Sequence, residues 1–272
     1  MSVNRIEWRS ISQLIRQRVL FLMLVCAILA GCKPNVPTQK VNQSSGPTNT
    51  VPVQANAPSV EASTTPTVLE QKMCSPLQVQ PLEDLSQIIT QTYLPPRQLE
   101  SGEYSDEGHH GLDLGYYTRE GALFTGTGVT AVFDGNVAGL VNDRPPYGNA
   151  IILESLPHQI PAELGVVFAA GEGESVYTLF AHLQEMQIQQ LGEDISCGQQ
   201  IAQTGLTGFT GGPHLHIEFR VGPSSTQFDS MGYYRADMLP VEMENYRLWR
   251  NSGTFRLVDP AVVFGLDVPQ KQ

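Results

Sequence analysis

A nine-residue run of alternating side chains constrains this chain most, because it predicts a β-strand with two histidines on one face. The run is GGPHLHIEF, at residues 211–219. Alternate side chains of a strand share a face, so His214, His216 and Glu218 are predicted to point one way, with the intervening apolar residues buried on the other side. Packing requires neither imidazole. The pattern therefore favours a chemical role for the pair.

A second cluster of polar residues precedes this run, in GHHGLD at residues 108–113. His109 and Asp113 are four residues apart and could share a helix face, but three nearby glycines oppose a helix. We therefore predict a loop that leads into a strand, with Leu112 and Leu114 facing inward and Asp113 facing outward.

A third histidine follows a segment that favours β structure. Residues 175–182, SVYTLFAH, are rich in β-branched and aromatic side chains, which predicts a strand with His182 at its far end. Five of the six histidines of the chain fall in these three motifs. Their clustering suggests one shared site.

Together the motifs supply the donors of a catalytic zinc site. Zinc in a hydrolase typically takes three protein ligands and leaves a fourth position for water, so we predict that His109, Asp113 and His216 bind Zn²⁺. His182 and His214 would remain unliganded, able to move protons or to stabilise a developing oxyanion. A lone His is usually a surface or structural residue, so the prediction depends on the co-occurrence of the motifs.

The three motifs resemble those of the lysostaphin/LytM-type zinc metallopeptidases, which cut peptidoglycan peptides, and they occur in the order of that family. The resemblance covers about residues 107–264. It implies the same division of roles, with ligands His109, Asp113 and His216 and catalytic residues His182 and His214. His110 stands where many relatives have another residue, so we interpret it as a neighbour of the site and not as a ligand.

The resemblance implies a mainly β fold, an antiparallel sheet or sandwich of the lysostaphin-like (duplicated hybrid motif) type. Glycines and prolines between short alternating runs also indicate a mainly β domain. Credible helices are confined to residues 82–92 and to the region near 241–250. We place the domain at 107–268 and expect residues 74–106 to be a lead-in segment that packs on its core.

Two stretches depart from the family pattern and are interpreted as insertions, at residues 154–174 and 221–257. The second directly follows the strand of His216 and is rich in aromatic residues. We predict that it borders the cleft and contributes to substrate choice. A peripheral decoration or an oligomer contact remains the alternative, because long loops can be either.

The N-terminus predicts export. Four arginines precede an apolar run at residues 19–30 that is too short to span a bilayer comfortably, as in a secretory signal. The run ends in LAGC, which resembles a bacterial lipobox, so residues 1–31 are predicted to be removed and Cys32 to carry lipid. A retained membrane anchor is the alternative, and it places the domain on the same side of the membrane.

Residues 32–73 are predicted to be a disordered tether rich in Pro, Thr and Ser. They contain almost no large apolar side chains, so they cannot bury enough surface to offset the entropy of ordering. Beyond the tether, Cys74 and Cys197 are the remaining cysteines. In an oxidising exported setting they could form a disulfide, or they could be two separate thiols.

The predicted function is an exported, lipid-anchored zinc metalloendopeptidase that hydrolyses peptidoglycan stems or cross-bridges. Its place is the cell membrane or outer membrane, facing the cell wall, with an envelope regulatory protein as a further potential partner. A formal charge of −11 argues against nucleic acid as a partner. The alternative is a non-catalytic envelope regulator that activates other wall hydrolases, but retention of all five site positions argues against it. A phosphocarrier, the third possibility, does not fit export or an Asp ligand.

Overall fold

The fold is mainly antiparallel β in the residues that the computed structural model describes, 71–115 and 124–267. This confirms the predicted fold class. The predicted signal at 1–31, its lipid site Cys32 and the tether as far as residue 70 lie outside the described residues. The described residues all belong to one unit, Thr65–Gln272. Among them, no helix has the length and apolar character needed to cross a membrane.

Eleven strands are present in the described part of the chain. They are β1 (Ile89–Gln91), β2 (Leu112–Leu114), β3 (Gly128–Thr130), β4 (Gly135–Arg144), β5 (Gly148–Ser155), β6 (Glu174–Ala181), β7 (Leu183–Met186), β8 (Asp194–Ile195), β9 (Gln200–Thr204), β10 (Leu215–Pro223) and β11 (Arg256–Val258). The larger sheet has the order β1-β2-β10-β6-β5-β4-β8, with β11 also paired to β10, and the smaller has the order β3-β9-β7.

Strand β10 lies inside the larger sheet, between β2 on one side and β6 on the other. Its apolar residues Leu215, Ile217 and Phe219 belong to the hydrophobic core on one face, as the alternation predicts. Its polar face is also buried, and Glu218 there has no exposed surface. A buried charge is costly unless it is paired, so this face requires partners from elsewhere in the chain.

Some of those partners come from the second insertion, which packs on the sheet as part of a second hydrophobic cluster. Phe228, Tyr246 and Trp249 are at most 1% exposed in that cluster. The insertion is therefore not a peripheral decoration. It is also shorter than predicted, because β10 continues to Pro223 and β11 begins at Arg256.

In the described residues the helices are short, apart from one in this insertion. The α-helices there are α1 (Gly165–Phe168), α2 (Pro240–Arg250) and α3 (Pro260–Val263), and the 3-10 helices span Leu82–Ile88, Pro157–Gln159 and Ala162–Leu164. Proline at the first position of α2 lacks an N–H that the first turn would leave unpaired anyway. The first insertion is a chain of such short helices between β5 and β6.

The helix predicted at residues 82–92 is partly wrong. Its first part is the 3-10 helix Leu82–Ile88, but the chain then extends into β1, where Ile89 pairs with Leu114 of β2. β-Branched residues at positions 89 and 90 fit an extended backbone better than a helix.

The lead-in segment is fastened to the domain by both covalent and apolar contacts. Cys74 and Cys197 form a disulfide, with Cα atoms 5.7 Å apart and 123 residues apart in sequence. Leu77, Leu85 and Ile88 are buried in the core of the first face. Packing already begins at Met73, the last residue of the predicted tether.

Candidate metal centre

Strand pairing brings the three predicted ligands together. Asp113 of β2 is the register partner of His216 of β10, and His109 lies just before β2, bridged to Leu94. Asp113 Oδ1 is 3.0 Å from His109 Nε2 and 2.8 Å from His216 Nδ1, and these two nitrogens are 3.1 Å apart. Of the described residues, only this set of His, Cys, Asp or Glu side chains has the arrangement of a metal site.

Hydrogen bonds on the outer nitrogens fix the orientation of both imidazoles. His109 Nδ1 donates to the carbonyl oxygen of Thr92 (2.9 Å), and His216 Nε2 donates to Glu218 Oε1 (3.2 Å). Each ring therefore turns its other nitrogen toward Asp113. Metal-binding histidines are typically held in this way by carbonyls or carboxylates. Two nitrogens and one carboxylate oxygen that converge with their outer atoms satisfied fit a zinc ion.

The electrostatics of the site favour positive charge. Burial raises the pKa of Asp113, but hydrogen bonds from the three surrounding histidines outweigh it and hold this pKa well below its usual range. Burial likewise lowers the pKa of His216, but hydrogen bonds to Asp113 and Glu218 outweigh it and raise the pKa to about 9. The two carboxylates thus create a negative potential that attracts a proton or a cation.

His182 and His214 lie beside the three donors, with their rings 4.8 Å apart. His182 Nδ1 donates to the carbonyl oxygen of Thr207 (2.8 Å), and His214 Nδ1 donates to that of Gly212 (2.8 Å). In both imidazoles Nε2 is the nitrogen that is not bound to a carbonyl oxygen. His214 Nε2 is 3.5 Å from Asp113 Oδ1, so it faces the centre.

His182 has an unusual backbone conformation and a lowered pKa. It follows the end of β6 with a φ of 61°, in the left-handed region that non-glycine residues rarely adopt. Burial, and the nearby His216 and His214, lower the pKa of His182 to about 3. The ring is therefore neutral at physiological pH, as a general base must be. Backbone strain of this kind clusters at functional sites.

His110 takes no part in the donor cluster. It is fully buried, its Nε2 donates to the Glu107 carbonyl oxygen (3.1 Å), and its Nδ1 accepts from Arg220 Nη2 (3.0 Å). Burial, together with the positive charges of Arg250 and Arg220, lowers the pKa of His110 to about 3. It serves as a neutral link between the loop of His109 and the buried face of β10.

The donors open into a cleft with two halves, each of about 250 Å³, which share His214 and the nearby loop. One half is lined by all five site residues together with Tyr147, Phe209 and Arg250. Arg250 is the last residue of α2, so the second insertion borders the cleft. The ring of Tyr234, also from the insertion, lies 6.0 Å from that of Phe209.

Sequence reasoning missed the residues that surround the donors. The alternation places Glu218 on the face of His216 but assigns it no role, and it does not point to Tyr147. In the structure the Tyr147 hydroxyl donates to Glu218 Oε1 (2.7 Å). The signal was present, because Glu218 and Arg220 continue the histidine face along an interior strand, where charged side chains require partners.

Comparison with known families gives a match over a little less than half of the chain. Residues 107–229 match the model of peptidase family M23. A comparison with curated proteins gave no match.

Solved structures give weaker likenesses. A zinc-containing peptidase from Vibrio cholerae is 28% identical, over 48% of this chain and 32% of that one, with a TM-score of 0.31. The catalytic domain of lysostaphin from Staphylococcus simulans is 19% identical, over 68% of this chain and 98% of that one, with a TM-score of 0.38. TM-scores this low support no inference about activity or substrate, and the chain spans about a third of the Vibrio protein. The three motifs all lie within residues 107–229, so the match to peptidase family M23 supports the resemblance to the lysostaphin/LytM-type family.

Proposed function

We propose that this chain is an exported, lipid-anchored zinc metalloendopeptidase that hydrolyses peptide bonds in peptidoglycan stems or cross-bridges. The observation that carries the proposal is the convergence of His109 Nε2, Asp113 Oδ1 and His216 Nδ1 beside two further imidazoles whose rings are oriented by backbone carbonyl groups. A purely structural metal site would not require His182 and His214 in this orientation.

The residues divide into metal ligands and groups for acid–base catalysis. A zinc ion held by His109, Asp113 and His216 would act as a Lewis acid and lower the pKa of a water molecule to about 7. The rings of His182 and His214 lie 4.8 Å apart beside the ligands, so either would be placed to take a proton from the attacking water. The protonated imidazole can then stabilise the developing oxyanion or return the proton to the leaving amine.

The cleft suits an extended peptide. Its two halves share Asp113 and His214 in their linings, so a substrate chain beside the ligands would have room in both. Exposed aromatic side chains at one end, Phe209 and Tyr234, offer flat apolar surface beyond the cleft. Peptidoglycan stems and cross-bridges are short peptides attached to a larger polymer, and they fit such an open groove.

Export and anchoring are supported by the N-terminal sequence. The arginine-rich start, the apolar run and LAGC at residues 29–32 support cleavage before Cys32 and lipid on that cysteine. A tether of about 40 residues would then let the domain reach wall polymer on the order of 100 Å away, at ~3.1 Å per residue if extended. Intact-mass analysis of membrane-extracted protein tests this, and an unmodified Cys32 within an uncleaved precursor would refute it.

Digestion of defined peptidoglycans tests the activity. The full chain, loaded with one equivalent of zinc, should release peptide fragments that mass spectrometry assigns to a single type of bond, and chelation should abolish their release. A regulator without activity would give no fragments with any wall type. Fragments that persist after exhaustive chelation would contradict the zinc mechanism.

A further inference from the structure

Glu218 is the most heavily bonded carboxylate near the centre. It has no exposed surface, and its two oxygens accept from four side chains. Oε1 accepts from His216 Nε2 (3.2 Å) and the Tyr147 hydroxyl (2.7 Å). Oε2 accepts from Arg220 Nε (2.9 Å) and Nη2 (2.8 Å), and from Trp249 Nε1 (3.1 Å). The carboxylate can neither rotate nor leave His216 without breaking several of these bonds.

The second insertion supplies part of the hydrogen-bond network around Glu218. Trp249, in the last turn of α2, donates its indole N–H to Glu218, and its carbonyl oxygen accepts from Arg220 Nη1 at 2.6 Å. The Arg220 guanidinium also lies 4.9 Å from the centre of the Trp249 ring. Arg250 donates to the Tyr147 hydroxyl (3.3 Å), and its Nη1 lies 3.8 Å from Glu218 Oε1.

We propose that the last turn of α2 is an outer part of the metal centre: through Trp249 it holds Glu218, and Glu218 orients His216 and strengthens its bond to zinc. The inference rests on the proposed zinc site. It gives the insertion a role in metal affinity, apart from any role in substrate choice. Glu218 and Trp249 are positioning residues, because neither reaches the cleft.

The physical basis is the direction of the His216 ring. A hydrogen bond from Nε2 to a fixed carboxylate sets the tautomer, turns Nδ1 toward Asp113 and makes that nitrogen a stronger donor. Glu218 can do this only while it remains charged in a fully buried position, and that requires the donors around it. Arg220 provides the opposite charge, and Trp249 fixes both members of the pair.

Trp249 also packs in the core, so the test must separate packing from positioning. Its ring contacts those of Phe228 and Phe255. Trp249→Phe keeps an aromatic ring and removes the donor to Glu218. Tyr177→Phe is the matched control, since Tyr177 lies against Trp249 in the same cluster and its hydroxyl donates to the Pro223 carbonyl oxygen, away from Glu218.

Zinc affinity of the full chain, measured by competition with a chromophoric chelator, is the primary readout. Loss of an outer partner typically weakens metal binding by about 10- to 100-fold, and Glu218→Gln should fall in that range. Trp249→Phe acts one bond further away and should weaken zinc binding roughly 3- to 10-fold. Both variants should change the visible spectrum of the Co²⁺-loaded protein. Tyr177→Phe should lower the melting temperature without altering the zinc affinity or this spectrum.

Two results would overturn the inference. Wild-type zinc affinity and an unchanged Co²⁺ spectrum in Trp249→Phe would show that the indole only packs, and this variant decides the matter even if Glu218→Gln does not fold. Equal losses in Tyr177→Phe and Trp249→Phe would assign the effect to the core in general. Because metal binding is measured without substrate, failure of the peptidase proposal would appear separately, as zinc-loaded wild-type protein that releases no wall fragments.

Discussion

Asp113 lies directly opposite His216 on the neighbouring antiparallel strand, and its Oδ1 is 2.8 Å from His216 Nδ1. The two residues are 103 positions apart in sequence, so only the register of β2 against β10 brings them together. A slip of one residue would turn one of the two side chains to the other face of the sheet. The metal site therefore depends on the same pairing that buries Leu112 and Ile217 in the core.

Removal of a donor should abolish both metal binding and activity. His216→Ala or Asp113→Ala deletes one of only three protein ligands, so zinc content should fall far below one equivalent and hydrolysis should cease. Metal analysis of the purified variants, paired with a digestion assay, measures both. Stoichiometric zinc in Asp113→Ala would show that the carboxylate is not a ligand.

Replacement of His182 or His214 should lower the rate of hydrolysis without lowering the zinc content. His182→Gln or His214→Gln leaves the three donors in place, so zinc should remain near one equivalent while the rate falls by about 10²- to 10⁴-fold, the usual loss of acid–base assistance. His158→Gln is the control, because this exposed histidine lies outside the site. A fully active His214→Gln protein is incompatible with the mechanism.

Zinc affinity should rise with pH, and the rise should continue to a higher pH than the pKa of an ordinary histidine would give. Zinc must displace the proton that Asp113 and Glu218 hold on His216, whose pKa is raised to about 9. Apparent affinity should therefore rise by about tenfold per pH unit between pH 6.5 and 9 and then level off. Conversely, protonation of His216 stabilises the metal-free fold below pH 6.5, and that contribution is lost as the pH rises through about 9. Zinc titrations at several pH values would detect the trend, and a flat profile over this range would contradict it.

Activity should also fall in acid, and the structure assigns the cause. From sequence alone, a decline below about pH 6.5 is expected because ordinary imidazoles take up protons there. Burial keeps His182 neutral, since its pKa is about 3, so His182 does not cause this decline. Loss of zinc through protonation of His216 contributes to it. Excess zinc should therefore restore the part of the activity at pH 6 that is lost with the metal, and no recovery at all would contradict this contribution.

The disulfide between Cys74 and Cys197 should contribute substantially to stability. It closes a loop of 123 residues, for which the chain-entropy model gives about 4 to 5 kcal/mol. The double variant Cys74→Ser, Cys197→Ser should show a loss of this order in denaturant unfolding. Non-reducing peptide mapping of exported protein should recover the two cysteines in one linked peptide, and two free thiols would refute the pairing.

Phe209 and Tyr234 should influence substrate choice without affecting the metal. Both side chains are more than half exposed, at 59% and 52%, and Phe209 also lines the cleft. Tyr234→Ala should change the ratio of rates on two peptidoglycan types while zinc remains near one equivalent. Val166→Ala, which alters an exposed residue of α1, should leave the ratio unchanged.

Deletion of the whole insertion is a poor test of the same idea. Trp249 is fully buried and donates to Glu218, so its removal would disturb the sheet and the outer contacts of His216 together. Point substitutions at the exposed aromatic positions avoid this.

Local pattern was sufficient to predict a mainly β fold, and the structure brings together the five residues that it singled out, whose roles stay predictions. Alternation in residues 214–219 determines which side chains share a face, and the clustering of His and Asp types indicates metal chemistry. The carbonyl groups of Thr92 and Thr207 orient His109 and His182. The sequence could not predict them, because every residue type has a backbone carbonyl group. The role of Trp249 was equally hidden, since an aromatic residue in a long insertion has the same appearance whether it packs, binds substrate or donates to a carboxylate.

The error at residues 82–92 has a similar origin. Leu85 and Ile88 have the spacing of an amphipathic helix, and they are indeed buried. However, the next residues pair with β2, and this tertiary contact outweighs the local preference.

The disulfide also determines how the domain would respond to mechanical load. If lipid holds one end of the chain and wall polymer holds the cleft, tension along the tether reaches the covalent bond at Cys74 before it reaches the residues that follow. The force passes into the turn at Cys197, so Leu77 and β1 are not peeled from the core. The carbonyl of Thr92, just beyond β1, thus keeps its hold on His109 while the anchored protein is pulled.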